Sequence, residues 1–420
     1  MKILVVSNLY PPDIDGGYEL GCSQAVGALR GRGHDVRVLT SAPRRPLPAA
    51  EGVQRDLTLA NVYDPDLGDP DDRRRRLALN VAAMWIDAPN THRLLAAARE
   101  FEPDVVYLWN LVGIGGLGLV TALQEAGIPW AWHLMDQVPV ILSGLRDAPR
   151  PALARLFAGR LDGTYISCSE HVLEEIKRKG LSLKGRVAVI PNWIHGARPQ
   201  PSHRTRDAGG LRIAMASAVN RDKGVDVMMR AAALLRERGF VDFKVDVYGR
   251  LVDSSLVGLV EELGIGDCFF LKGEVPHADL VAMYGRYDLF AFPVWEREPF
   301  AFAALEAAAQ GCPVLMTHGG NAEWFVDGVH CLKAQRTPEA FAARLQQVIS
   351  GQVDAAAIGE RGQRVVLRDF HIDTVVPRIE EALSAAAAGR DHAGSHDRAY
   401  VAALLAHRLA AAIVDEVPLA

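Results

Sequence analysis

The segment E-R-E-P-F-A-F-A-A-L-E, residues 296–306, carries two carboxylates, Glu298 and Glu306, with seven residues between them in an otherwise apolar, alanine-rich stretch. It follows a strand-like F-A-F-P-V. Pro299 suits the first turn of a helix that Gly311 and Pro313 would stop. On such a helix the two acids lie roughly two turns apart, about 10–12 Å along the axis. A retaining glycosidase pair sits only about 5 Å apart, so these two are too distant to act as one. They suit instead two separated parts of one elongated ligand whose anionic middle meets the helix N-terminus. A nucleotide sugar, with ribose hydroxyls, diphosphate and sugar hydroxyls in a row, has that layout. The segment alone equally admits Glu298 as a complement to the helix dipole and Glu306 as an incidental surface residue.

Three other loops carry related chemistry. N-L-Y-P-P-D-I-D-G-G, residues 8–17, ends in Gly16 and Gly17, where backbone N–H groups could approach phosphate before a helix begins. It lacks the G-x-G-x-x-G spacing of a dinucleotide site, which argues against NAD. S-A-V-N-R-D-K-G, residues 217–224, puts Arg221 and Lys223 just ahead of a helix, where a lysine could neutralise phosphate or simply be a solvated loop charge. T-H-G-G-N-A-E, residues 317–323, adds Gly319 and Gly320 with Glu323 behind them. Together, the four loops favour a phosphate-containing ligand.

The elements that must position these loops are short apolar runs alternating with helical patterns. K-I-L-V-V-S, D-V-R-V-L-T, V-V-Y-L-W, W-A-W-H-L, T-Y-I-S-C-S and V-A-V-I-P precede a Pro-, Gly- and charge-rich stretch at 196–210. Beyond it L-R-I-A-M-A, F-K-V-D-V-Y-G, C-F-F-L-K-G, D-L-F-A-F-P-V and C-P-V-L-M-T repeat the alternation. Helices are expected at 224–239, 254–263 and near 337–350. Runs apolar on both faces predict parallel sheets covered on both sides. The expected organisation is an N-terminal α/β domain at 1–196, rejoined by a helix at 372–388, and a second at 210–371. A spacer and apolar tail helix follow at 389–420, the alanine-rich spacer beginning near 385. In such sheets ligands bind beyond the carboxyl ends of strands, and with two domains the natural site is the cleft between them.

Composition narrows the classes. The 420 residues are 49% hydrophobic and 23% charged, with a net charge of −5. That balance opposes a nucleic-acid binder. Five scattered cysteines, never in a CxxC pair, fit a reduced, cytosolic protein without structural zinc. No signal-peptide pattern follows M-K-I-L-V-V-S-N. The uncharged stretch 105–124 has four clustered glycines and reads as strand, glycine loop and helix start rather than a membrane span. The apolar helix at 399–414 is expected to pack on the body or on a second copy, as a homodimer contact, or to lie on a membrane surface. R-R-R-R at 73–76 could likewise meet anionic lipid at the inner membrane face, or be a solvated helix start.

Taken in order, Y-P-P-x-x-x-G-G (10–17), R-G-H-D-V-R-V-L-T (32–40), V-I-P-N (189–192), D-K-G-V-D (222–226), E-P-F-A-F-A-A-L-E-A-A-A-Q-G-C-P-V-L (298–315) and G-G-x-x-E (319–323) resemble the retaining glycosyltransferases of family 4 over about residues 1–385. The resemblance implies the GT-B fold, two Rossmann-like domains facing each other across a cleft. It implies transfer of a sugar from a nucleotide-diphosphate sugar to an unidentified acceptor hydroxyl, with no metal and no cofactor. It also implies roles. Glu298 would contact donor-sugar hydroxyls and Glu306 the ribose. Lys223 would bind the diphosphate with the amides of Phe300 and Ala301, and Gly16 and Gly17 would approach the phosphates from the other domain. Of the family's His-Asp pair, Asp136 matches, but Met135 takes the histidine's place. His133, two residues earlier on the same strand face, either substitutes or is a packed strand histidine. The family's phosphate-binding arginine is Ala218 here, with Arg221 the nearest replacement, and its glycine after the phenylalanine is Ala301. An epimerase or phosphorylase on the same fold, or a silent nucleotide-sugar binder, are the alternatives.

Overall fold

The computed structural model describes residues 1–43, 45–60, 84–142, 160–196, 199, 210–295, 298–300, 302–318 and 323–389. The chain divides into two units, Met1–Ile190 with the residues from Val376 onward, and Pro191–Val375.

The first unit is built on seven parallel strands: β1 Lys2–Val6, β2 Asp35–Ser41, β3 Val53–Leu57, β4 Val105–Leu108, β5 Trp130–Leu134, β6 Asp162–Ser167 and β7 Lys184–Val189. Their order is β3-β2-β1-β4-β5-β6-β7. The second unit has six: β8 Leu211–Ala216, β9 Phe243–Tyr248, β10 Phe269–Gly273, β11 Leu289–Phe292, β12 Val314–Thr317 and β13 Leu332–Ala334. These run parallel in the order β10-β9-β8-β11-β12-β13. The central strands β1, β4, β5, β8 and β11 are buried almost throughout, the burial that continuous Val, Ile and Leu runs demand.

Both sheets reverse their direction of growth beside their first strand. In the first unit β1 pairs with β2 on one side and β4 on the other; in the second, β8 pairs with β9 and β11. Loops leaving the two strands at such a reversal diverge and leave a crevice, where ligands bind in open α/β sheets. The loops after β1 and β8 are the Tyr-Pro-Pro and Lys223 loops.

Several expected boundaries shift. The helix after β11 is Phe302–Ala309, so Pro299 precedes it instead of occupying its first turn. The helix Ile372–Ala388 runs past the start of the alanine-rich spacer, because alanine extends a helix at the least cost of any residue. Strands β3 and β13, and a helix Ala355–Asp369, join the expected set. The first unit takes up the end of Ile372–Ala388 through Glu380, which pairs with Arg32 at 2.6 Å and His34 at 3.0 Å. The stretch 105–124 becomes β4, a turn with Gly113 and Gly115 at positive φ, and most of the helix Gly116–Glu125. Among the described residues no helix is long and apolar enough to cross a membrane. Residues 73–76 and the tail helix at 399–414 lie outside the described residues.

Candidate active site

In the second unit, tight backbone packing brings the Lys223 loop and the Glu298 loop together. Gly224 has φ +72°, and a Cβ there would lie 1.9 Å from the carbonyl oxygen of Pro293, so only glycine lets the loop after β8 lie against the loop after β11. Trp295 N–H donates to Asp222 O at 3.0 Å, and Glu298 N–H to Trp295 O at 3.1 Å. Asn220 Oδ1 accepts from Lys223 N–H at 2.9 Å and fixes the turn before the helix Val225–Glu237. Across both loops lies Arg336. Its Nε donates to Pro293 O at 3.1 Å, and its guanidinium also reaches Arg221 O and Asp222 O.

The outcome is an ion pair: Lys223 Nζ donates to Glu298 Oε2 at 2.5 Å, with side chains 28% and 13% exposed. A lysine and a carboxylate at the switch point of a parallel sheet can exchange each other for a ligand with an anion and hydroxyls. Phe300 is buried just beyond, its carbonyl held by Asn192 Nδ2 at 2.9 Å and its ring against Phe370 at 6.1 Å. Asn192, from V-I-P-N, thus reaches across the chain to anchor the segment that carries Glu298. Ala301, Gly319 and Gly320 lie outside the described residues, and Glu323 is exposed.

Glu306 sits on the helix Phe302–Ala309 with its side chain 13% exposed, and His277 Nε2 donates to its Oε1 at 2.7 Å. That contact, chiefly the hydrogen bond to Glu306, raises the His277 pKa above its usual 6.5. Arg221, expected near phosphate, is committed elsewhere. Its guanidinium meets Asp253 at 3.2 Å, Ser255 Oγ at 3.2 Å and Asp226 at 3.7 Å. Asp253 and Ser255 hold the side chain at the start of the helix Ser255–Glu262, and Asp226 adds a longer contact, so in this structure its charge is engaged by acids instead of facing an open phosphate site.

The first unit treats its candidates differently. Gly16 caps the helix Gly17–Gly31 in an extended conformation, with open space where a Cβ would be. Its N–H, however, donates to Glu19 Oε2 at 2.8 Å, as does that of Asp15 at 3.2 Å. The Gly16 amide is therefore engaged within its own loop. Burial raises the Glu19 pKa, and these hydrogen bonds partly offset the rise. Arg55 fastens the same loop, donating to Tyr10 O at 3.1 Å and Pro11 O at 2.5 Å. Met135 N–H donates to Tyr18 OH at 2.8 Å, which draws the end of β5, and half-buried Asp136, toward the start of the first helix.

His133 is fully enclosed. It hydrogen-bonds Tyr107 OH at 2.6 Å, stacks on Trp109 at 4.4 Å between ring centroids, and burial pushes its pKa down to about 3. This is the packed strand histidine, and the substitute for the family's missing ligand-facing one is not found at this position. The physical reason is its place on β5, which is paired on both sides and covered on both faces, so either face of the strand is interior.

Sequence reasoning missed His277, Arg336 and Glu19 as site-shaping residues, and Asn192 entered it only as the end of V-I-P-N. Two had a signal available. His277 opens a helix just after β10, where the rule about strand ends applies, and Glu19 stands three residues after Gly16, the spacing of a capping box. Arg336 had none, since it acts on carbonyls more than forty positions away.

Comparison with known proteins places this architecture. A model described as "Glycosyl transferases group 1" matches residues 201–365, and one described as "Glycosyl transferase 4-like domain" matches 16–193. D-inositol 3-phosphate glycosyltransferase from Arthrobacter sp. is 33% identical over 332 residues, 74% of this chain and 76% of that protein. The chain belongs to the group 1 glycosyltransferases. Glycogen synthase from Mycobacterium tuberculosis is 25% identical over 413 residues, 93% of this chain and 96% of that one. Among solved structures, HepE from Anabaena in complex with UDP superposes with a TM-score of 0.66 at 20% identity, over 92% of this chain and all of that one. The fold of this glycosyltransferase is accordingly GT-B, built of two Rossmann-like domains.

Proposed function

We propose that this glycosyltransferase moves a sugar from a nucleotide-diphosphate sugar to an acceptor hydroxyl with retention of anomeric configuration. The observation that carries the reading is the Lys223–Glu298 pair at the strand-order reversal of the second sheet. Donor binding exchanges the partners: Lys223 turns to the diphosphate and Glu298 to the hydroxyls of the sugar. Glu306 takes the ribose, and the amides at Phe300 and Ala301 add to the charge facing the phosphates. The second unit is then the donor side. The first unit is then the acceptor side, with Asp136 at a strand end. The HepE structure in complex with UDP-glucose lends the donor class support.

Chemistry follows from the charges. As the glycosidic bond breaks, negative charge develops on the diphosphate, and the Lys223 ammonium, turned to the diphosphate on donor binding, stabilises it. In this reading the acceptor oxygen attacks on the same face, the leaving phosphate takes its proton, and Lys223 with backbone N–H groups does the work that a metal does elsewhere. The five buried thiols suit a reducing, cytoplasmic setting.

The test is a thermal-shift and turnover panel of UDP-, GDP-, ADP- and TDP-sugars with NAD as control, followed by assignment of the product's anomeric configuration. Stabilisation by at least one nucleotide sugar, acceptor-dependent turnover and a retained anomer are expected. Stabilisation by NAD alone would sink the reading. Turnover without any acceptor would point to epimerisation or phosphorolysis, and binding with no turnover to a silent binder.

A further inference from the structure

We infer that His277 is a positioning residue for Glu306, holding this carboxylate in the orientation that receives a nucleoside's ribose diol and making donor affinity depend on the imidazole's proton. The inference rests on the nucleotide-sugar reading above and adds to it a residue and a pH dependence.

The geometry is asymmetric. Glu306 is largely withdrawn from solvent at 13% side-chain exposure, while His277, 2.7 Å away, is 46% exposed. Solvent therefore exchanges protons with the imidazole, and the carboxylate responds. The two side chains come from different elements, the helix His277–Tyr284 that follows β10 and the helix Phe302–Ala309 that follows β11, and these helices pack on one another. A contact between helices fixes a rotamer better than one within a helix, because neither side chain can follow the other by turning about a single backbone. With Oε1 committed to His277 Nε2, Oε2 keeps its lone pairs for a hydroxyl donor. A vicinal diol needs a carboxylate at a set angle, and a bond on one oxygen supplies that angle before the ligand arrives.

Among the described residues, the charges shown to act on His277 and its neighbour Tyr284 include that of Glu306. Glu306 is the charged group that shifts His277, raising its pKa first through the hydrogen bond and then through its charge, against the lowering effect of burial. On the same helix as His277, the hydroxyl of Tyr284 is buried and feels the Glu306 charge, which adds to the effect of burial in raising its pKa. The protonated imidazole thus persists to higher pH than in an ordinary histidine. The charge-assisted part of its hold on Glu306 is complete below the usual histidine range and is lost as pH rises through the raised value, leaving at most the weaker neutral Nε2–H donation.

The experiment titrates UDP, GDP and ADP calorimetrically into wild type, His277→Gln and His277→Ala across pH 5.5 to 9, with donor KM and kcat measured alongside. Wild type should bind at least one diphosphate, weakening about fivefold as pH rises through the histidine transition beyond the part due to phosphate ionisation. His277→Gln keeps a donor to Glu306 without a titrating proton, so its profile should retain only the phosphate part. His277→Ala should raise donor KM about fivefold at low pH with kcat within about twofold. If His277→Ala folds poorly, the His277→Gln profile decides alone. Wild type and His277→Gln sharing one pH profile overturns the inference, and so does wild-type affinity in a folded His277→Ala. Failure of wild type to bind any of the three diphosphates overturns this inference, while the nucleotide-sugar reading stands or falls on the four-sugar panel above.

Discussion

The two sheets use the same topology and treat their strand-end residues in opposite ways. In the second unit, the acids after β11 are each met by a basic side chain from another element, Glu298 by Lys223 and Glu306 by His277. In the first unit, the corresponding groups are held by contacts within that unit, the Gly16 amide after β1 by Glu19, and His133 within β5 by a hydrogen bond to Tyr107 and a stack on Trp109. Exchangeable ion pairs can release their partners to a ligand at small cost, because the ligand supplies equivalent charges. A buried aromatic stack cannot, because opening it exposes apolar surface and leaves polar atoms unmatched. On the proposed reading, the exchangeable charges of the site lie in the second sheet, while Gly16 and His133 of the first are held by contacts within their own unit.

The sharpest way to break that contrast is Lys223→Ala. On the proposed reading it removes the charge that stabilises the leaving group, so kcat should fall about 10²–10³-fold, while circular dichroism and melting temperature stay near wild type. A kcat within a few-fold of wild type would show that the pair is structural, like its counterparts in the first unit.

His133 tests the other side. His133→Ala should destabilise the protein by about 2–4 kcal/mol in denaturant unfolding, through the cavity left beneath Trp109, with kcat of the folded fraction unchanged. Its pH signature has a definite sign. With the folded pKa depressed to about 3, the unfolded chain binds a proton that the folded chain refuses, so stability is complete above about 6.5 and falls as pH drops towards 3. His133→Phe should flatten that part of the acid-unfolding curve. A large loss of kcat in a stable His133 variant would return this histidine to the chemistry.

Gly224→Ala asks whether loop packing is what assembles the ion pair. A side chain at φ +72° against Pro293 O should cost about 1–3 kcal/mol and raise donor KM, read by unfolding and by steady-state kinetics. The smallest effect belongs to Arg221→Ala. Its half-exposed contacts to Asp253 and Asp226 should add no measurable stability, with donor KM within about twofold. A tenfold rise in KM would mean that Arg221 leaves those acids for the phosphate.

Apolar runs of four to six residues separated by helical patterns are local signals, and they sufficed for two parallel α/β sheets and for placing the loops after β1, β8 and β11 at strand ends. The spacing of Glu298 and Glu306 was equally legible, as was the lysine before a helix start, because type and position along one chain carry that information. What the chain could not disclose by itself is which side chains meet. Lys223 and Glu298 are separated by 74 residues, His277 and Glu306 by 28, and Arg336 from the carbonyls it binds by a strand and a helix or more. Those encounters depend on the strand order of the sheet and on backbone approach at Gly224. His133 shows the same limit from the other direction. Alternation along β5 assigns it a face, but only the neighbouring strands and their covering layers decide that both faces of that strand are interior.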